Sequence, residues 1–317
     1  MDRYERRKTT IHELLENVKQ TDAPFIKICA PMVRYSKLPF REVVRNYKVD
    51  LAYTPMILAD VFASSPMARE ADFSTNQNEG PLVVQFAANT GKDLADATEF
   101  VAPYVDAVDI NCGCPQKWAI NEKIGAHLMT QPELVRDMIH QVRNRTNVPC
   151  SIKIRVHKDL RKTYEFVQRA EKVGVEWIAV HGRTTKQSSS EPVNLDAIKF
   201  VRENTSVPII ANGDVFSLDD ARKIVEYTHV DGLMAARGLL KNPSLFSNEK
   251  YTPWDCVENY VQQALDYGTT TFIFHHHLMF MLEDVMSKAE KKTFNVLSSI
   301  PAIIDHLNIY YGMELRS

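Results

Sequence analysis

The chain has 317 residues, 44% hydrophobic and 25% charged, with a formal net charge of −2. That composition is ordinary for a globular protein, and it excludes a disordered chain and a globally basic nucleic-acid binder, though not a local basic patch. The length suits one large α/β domain with a smaller companion, or two mid-sized domains.

No stretch approaches the roughly 18 uninterrupted apolar residues that a membrane helix needs. The opening residues, MDRYERRKTT, have no apolar core behind their basic side chains and do not read as a secretory signal. Five scattered cysteines, an odd number, favour reduced thiols and a cytoplasmic or nuclear location over a disulfide framework. Charge is uneven along the chain. Residues 1–50 hold eleven Lys or Arg against seven Asp or Glu, whereas residues 251–317 hold four against eight. The final segment is therefore a poor source of attraction for RNA.

In chain order, residues 1–25 read as an N-terminal extension, and from residue 26 short apolar runs alternate with helical patterns. The runs are IKICAP (26–31), DLAYTPM (50–56), LVVQFA (82–87), AVDINCG (107–113), SIKIRV (151–156), WIAVHG (177–182), PIIANGD (208–214) and GLMAARG (232–238). Most lack polar alternation, as strands covered on both faces should. Between them, QPELVRDMIHQVRNRT lines up Leu134, Val135, Met138, Ile139 and Val142 on one helical face, and Ser217 with Asp220 predicts a capping box. Eight strands alternating with helices predict a closed (β/α)8 TIM barrel over 26–246. The rival, an open doubly wound sheet, usually carries a G-x-G-x-x-G turn after its first strand, and CAPMVRYS has none. Residues 247–317 read as a small C-terminal helical domain of three helices. The first is capped by Thr252, Pro253 and Asp255 and stopped at Gly268, the second covers FIFHHHLMFMLEDVMSKAEKK, and the third is kinked at Pro301.

A barrel enzyme builds its site at the C-terminal ends of its strands. Here those ends carry Pro31 and Met32, Gln85, Asn111 to Cys114, Lys153 and Arg155, His181 and Arg183, Asn212-Gly213-Asp214, and Ala236-Arg237-Gly238. So many polar groups on one rim predict a site. The last two clusters, on adjacent strands, suit a phosphate cradle. A lysine buried inside SIKIRV costs several kcal/mol if left unpaired, so Lys153 predicts an exposed strand end, a structural carboxylate or an anionic ligand. No metal site is expected. Cys112 and Cys114 at C-x-C spacing have no partner pair, and consecutive His275, His276 and His277 point about 100° apart on a helix. Strand alternation gives Cys112 and Cys114 the same facing, with Cys112 in the core beside Cys29, Cys150 and Cys256 in kind, and Cys114 released onto the rim before Pro115.

CAPMVRYS, VVQFAAN, DINCGCPQ, GAHLM, SIKIRV, VHGRT, IIANGDV and MAARGLLKNPSLF resemble, in that order, the signature segments of the tRNA-dihydrouridine synthases. CAPMVRYSKLPFR and NCGCPQ look most like the eukaryotic branch acting at tRNA positions 20a and 20b. The resemblance implies an FMN-binding barrel that takes hydride from NADPH (or NADH) and reduces one uridine in tRNA; a monomer is expected. It places Pro31, Met32 and Val33 along the flavin, Gln85 and Lys153 on the isoalloxazine, and His181 at its edge. Asn212, Gly213, Asp214, Ala236 and Arg237 would hold the phosphate, Cys114 would donate the proton, and Asn111, Arg155 and Arg183 would face the substrate. Lys117, Lys123, Arg34 and Lys37 would offer RNA contacts around the mouth.

The chemistry agrees with that expectation. The uracil C5–C6 bond is conjugated to the C4 carbonyl, so hydride should add at C6 and leave C5 needing a proton. A thiol with a pKa of about 8.5 is mostly protonated at neutral pH and can supply one. Two other readings remain open at this point: a flavin barrel acting on a free pyrimidine, and a non-catalytic tRNA-binding scaffold.

Overall fold

Val, Ile, Leu and Ala dominate the eight short runs, and each run forms a strand in the computed structural model of the chain, which describes residues 8–314. The strands are β1 (Ile26–Cys29), β2 (Leu51–Tyr53), β3 (Ile57–Leu58), β4 (Leu82–Ala87), β5 (Ala107–Cys112), β6 (Cys150–Arg155), β7 (Ile178–His181), β8 (Ile209–Asn212) and β9 (Gly232–Ala235). β3 is a two-residue addition beside the end of β4, with Ile57 opposite Phe86. The other eight form a ring in which every pairing is parallel. β1 lies between β2 and β9, and β2 closes the circle by pairing with β4, Tyr53 opposite Val83. This is a TIM barrel.

Closure divides each strand by parity. Ile26, Ile28, Leu51, Tyr53, Val83, Ala107, Trp177, Ala179, Ile210 and Met234 form one buried cluster inside the ring. Their sequence neighbours Cys29, Ala52, Val84, Val108, Cys112 and Cys150 belong to a separate cluster that faces the surrounding helices. Trp177 crosses the interior to donate its indole N–H to the Tyr53 hydroxyl at 2.8 Å.

The stretch expected as an N-terminal extension contributes to this interior. Thr10 caps a helix over Ile11–Val18 through a reciprocal capping box with Glu13, and Ile11, Leu14 and Val18 join the inner cluster. The Thr9 N–H donates to Asp106, just ahead of β5, so the helix stoppers the N-terminal ends of the strands. The first seven residues of the expected extension lie outside the described residues.

Beyond the barrel the described residues make four helices rather than three: Trp254–Asp266, Thr271–Met281, Lys288–Phe294 and Ile300–Tyr311. Residues 272–292 share one apolar periodicity but are split, because the Ser287 side chain accepts from the Glu290 N–H and starts a new helix. Pro301 initiates the last helix instead of kinking it; it sits in the first turn, where its missing N–H is harmless, behind the Ser299 cap. Thr252 is not a cap either: its hydroxyl goes to the Lys241 carbonyl, and Pro253 takes the cap position. In the Ser217 motif only half of the box forms, since the Asp220 carboxylate accepts from the Phe216 N–H. Gly268 does end its helix, at φ 74°. The three histidines point apart as expected, His275 to the Phe294 carbonyl, His276 to the Tyr35 hydroxyl and His277 to the Tyr35 carbonyl. Those last contacts fasten the helices to the loop after β1.

The stopper helix should matter energetically. Leu14→Ala is expected to cost about 2–5 kcal/mol through lost burial and the cavity it leaves. The exposed control Glu16→Ala should stay within about 0.5 kcal/mol. Urea midpoints for the two variants check this.

Candidate active site

Interior parity carries upward from the apolar floor. After Val83 the next inward residue is Gln85; after Ala107 come Asp109 and Asn111; after Ala179 comes His181, and after Ile210, Asn212. On β6 the same parity gives Ser151, Lys153 and Arg155. Register then sets them side by side, Gln85 opposite Asp109, Asn111 opposite Lys153, Arg155 opposite His181, and His181 opposite Asn212. Polar side chains thus gather at one end of the cylinder because the other end is full.

The charge there is lopsided. Burial and the neighbouring cations Lys153, Arg155, Arg183 and Arg237 push the His181 imidazole down to about 2, so it is neutral at physiological pH. Burial, then Arg155, lowers the Lys153 ammonium to about 8. Lys153 makes no hydrogen bond or ion pair among the described residues, and Asp109 attracts it only through space. Asp214 is the counter-charge of the arginines, taking Arg183 at 2.5 Å and Arg237 at 2.9 Å. Cation excess around a concave, half-buried mouth is a site for an anion.

The turn after β8 is built for close approach. Gly213 has φ 124°, a conformation side chains rarely adopt, and a Cβ there would sit 2.6 Å from Val193 and 3.1 Å from the His181 ring. Asn212 is anchored by donating to the Met234 carbonyl at 2.8 Å. With Ala236, Arg237 and Phe216 these residues line a pocket of about 90 Å³. A larger cavity of about 290 Å³ lies outside the mouth, between Phe216, Tyr251 and Phe280, and its Lys241 is already paired with Asp284 at 3.1 Å.

Cys112 and Cys114 do not share a facing. Cys112 ends β5 and is buried against the helical layer, while Cys114 is half-buried on the rim beside Met56, Leu58 and Ile124. Gly113 interrupts the alternation. The Asn111 side-chain oxygen accepts from the N–H groups of Gly113 (3.1 Å) and Cys114 (2.9 Å), folding the loop back over the mouth. Arg155 donates to the Gly113 carbonyl at 2.9 Å, and the Ala126 N–H donates to the Cys114 carbonyl at 2.9 Å. The Gly-Ala-His-Leu tail is therefore the brace of the cysteine loop. Gly125, at φ 61°, has no room for a Cβ, which would lie 2.8 Å from the Cys114 carbonyl oxygen. The fields at both Lys153 and Arg155 include the Cys114 thiol, so sulfur and cations share the mouth.

Of the residues expected at the flavin, Pro31 is half-buried, Met32 buried and Val33 exposed, all on the loop after β1. Gln85 is only 1% exposed and already engaged at both ends of its amide, donating to Asp109 and accepting from Asn111, each at 2.8 Å. Arg183, expected to face the substrate, is 1% exposed, with its guanidinium held by the Glu191 carbonyl, the His181 ring and Asp214. It shapes the mouth from behind. Asp109 and Ser151 went unassigned, although a carboxylate two residues before Asn111 in an apolar strand was the available signal. Among the described residues no group of His, Cys, Asp and Glu is arranged to hold a metal ion. No helix among them is long and apolar enough to cross a membrane.

Comparison with known proteins gives the same frame. The architecture is shared with the old yellow enzyme homologue from Zymomonas mobilis at TM-score 0.51 and 10% identity, over 75% of this chain and 92% of that one. A Homo sapiens protein called tRNA-dihydrouridine(20a/20b) synthase [NAD(P)+]-like is 52% identical, covering 91% of this chain and 92% of its own. The tRNA-dihydrouridine(20a/20b) synthases [NAD(P)+] of Schizosaccharomyces pombe and Saccharomyces cerevisiae are 45% and 44% identical, over 90% and 93% of this chain and 88% and 82% of theirs. The family model described as dihydrouridine synthase (Dus) matches residues 28–305, and the chain belongs to that family.

Proposed function

We propose that this protein reduces the C5–C6 bond of a D-loop uridine in tRNA, at position 20a or 20b, with FMN as its flavin and NADPH as reductant. The observation that carries this is the unpartnered Lys153 ammonium among Arg155, Arg183 and Arg237, at a mouth that also holds the Cys114 loop. The donor set fits FMN. The Gly213–Asp214 turn, Asn212, Ala236 and Arg237 would hold the phosphate in the small pocket they line. Lys153 would sit at the electron-rich edge of the ring, with Gln85 and neutral His181 as hydrogen-bonding neighbours and Pro31, Met32 and Val33 along one side. When bound, the flavin supplies hydride for C6 of the uracil, replenished from NADPH.

The rest falls to this chain's own atoms. Cys114 Sγ–H gives its proton to C5, where charge accumulates through conjugation with the C4 carbonyl. Asn111 keeps the Cys114 backbone in place, and Lys153 offsets negative charge in a water-poor mouth, where such charge stabilisation is strong. Arg155, with one side of its guanidinium tied to the Gly113 and Thr184 carbonyls, presents the remainder toward the substrate. Exposed Arg34, Lys117 and Lys123 and the 43% exposed Trp118 offer phosphate contacts and a stacking face, and the acidic C-terminal segment leaves that role to the barrel rim. Extruding the target base costs about a few kcal/mol, least where it is already unpaired. One chain supplies one complete set of these groups, consistent with a monomer. Five free cysteines suit a reducing compartment, cytoplasm or nucleus.

Cys114→Ala is expected to retain flavin and its reduction by NADPH, yet to lose about 10²- to 10⁴-fold in dihydrouridine formation. Stopped-flow absorbance and mass spectrometry of digested tRNA check the two halves. Activity on free uridine or orotate equal to that on tRNA would instead favour the small-molecule reading. A second outcome concerns pH. Flavin binding to Lys153 raises its pKa above the free value of about 8, so binding takes up a proton between the two values and affinity must fall as pH rises past 8. Lys153→Met should bind at least about tenfold more weakly and lose that alkaline decline. Quenching of FMN fluorescence, titrated from neutral to alkaline pH, measures both.

A further inference from the structure

The Asp109 carboxylate ends a chain of hydrogen bonds that runs to the cysteine loop. Ser151 Oγ–H donates to Asp109 Oδ1 at 2.6 Å, and Gln85 Nε2–H donates to Asp109 Oδ2 at 2.8 Å. Asn111 Nδ2–H donates to Gln85 Oε1 at 2.8 Å, and the Gly113 and Cys114 N–H groups donate to Asn111 Oδ1. Behind Ser151 the Tyr53 hydroxyl lies against it and accepts from Trp177. On the arm from the loop, every donor points toward the same carboxylate.

The direction of that chain is not free. Asn and Gln amides are nearly symmetric in shape, so only their partners decide which end is oxygen and which is nitrogen. An ionised carboxylate accepts and never donates. Gln85 must therefore turn its NH₂ down to Asp109 and its oxygen up. Asn111 must turn its NH₂ to that oxygen, which leaves its own oxygen for the two backbone N–H groups. Burial raises the Asp109 acid to about 6, against the pull of Ser151, Gln85 and Lys153, so it remains largely ionised at neutral pH.

We propose that Asp109 is a positioning residue: as the chain's terminal acceptor it anchors Gln85 and Asn111 in the orientations that the two backbone N–H groups require, and through them the placement of the Cys114 loop. The inference rests on the reading of Cys114 as proton donor for its meaning in catalysis, but not for its geometry. The Gly113 and Cys114 N–H groups can only donate, so an amide at position 109 still gives its oxygen to Gln85, but its NH₂ then faces Ser151, whose hydroxyl loses its acceptor and leaves that end of the chain unanchored. Moving the carboxylate to position 111 restores a full set of partners. In the double variant Asp109→Asn/Asn111→Asp, the carboxylate now at position 111 accepts from both backbone N–H groups and from a flipped Gln85. Gln85 Oε1 then accepts from the amide now at position 109, whose own oxygen accepts from Ser151. The two side-chain bonds to Gln85 reverse, while the Gly113, Cys114 and Ser151 donors keep their direction, and every group is satisfied.

Thiol alkylation reads the loop without needing flavin or tRNA. Cys29, Cys112, Cys150 and Cys256 are buried and Cys114 is not, so iodoacetamide modification of the folded protein, located by peptide mass, reports on Cys114. Asp109→Asn should change that alkylation rate at least about threefold. It should also lower kcat for dihydrouridine about tenfold, with KM for tRNA and flavin reduction by NADPH within about twofold; these ranges are those of a displaced catalytic group. The double variant should return the alkylation rate to within about twofold of the wild type, the scatter expected of a restored network. Wild-type alkylation and kcat in Asp109→Asn, or a double variant no nearer the wild type than the single one, would overturn the proposal. If the single variant does not fold, the double variant decides alone by folding with near-normal alkylation or failing to. Wild-type protein that makes no dihydrouridine would remove the functional reading while leaving the alkylation result intact.

Discussion

A closed ring of parallel strands must turn every second side chain inward, and the interior is too narrow to waste. Trp177, Tyr53, Met234 and the isoleucines fill its floor, and the Ile11–Val18 helix seals it from below. Inward positions nearer the other end are then where the charged and amide side chains of the interior lie. Steric necessity, rather than any single attraction, brings Gln85, Asp109, Asn111, Lys153, Arg155, His181 and Asn212 together.

Crowding has electrostatic consequences. Four cationic side chains lie within range of His181, while Asp214 is shared between two of them and Asp109 lies deeper on β5. The mouth is thus left positive in a protein whose overall charge is −2. Burial first, and this imbalance second, make the imidazole neutral and weaken the ammonium. An arriving anion relieves repulsion already present, which is why a polar mouth with spare positive charge is a better host than a neutral one.

Much of this was legible in the chain. Uninterrupted apolar runs at eight places announced a parallel barrel, and polar residues at their ends announced the rim. What was hidden depends on partners far away in sequence. Arg183 sits beside His181 in the loop after β7, but its buried role comes from Asp214, on the turn after the next strand. Thr252 has the look of a cap until the Lys241 carbonyl claims its hydroxyl. The helix at residues 11–18 carried its capping box openly, Thr10 with Glu13, yet short amphipathic segments do not declare which surface they will cover. Gly113 shows the limit of periodicity: one residue without a side chain ends the strand's alternation and sends Cys112 and Cys114 to different layers.

The stopper helix also bears on how the molecule assembles during synthesis. Its apolar stripe belongs inside a cylinder whose last wall, β9, lies more than 200 residues downstream. Its Asp106 anchor, too, emerges from the ribosome long after Thr9. A helix made before the barrel strands is consequently among the last elements to find its seat. For most of translation Ile11, Leu14 and Val18 remain a greasy edge in need of shelter, the kind of surface that chaperones meet on nascent chains.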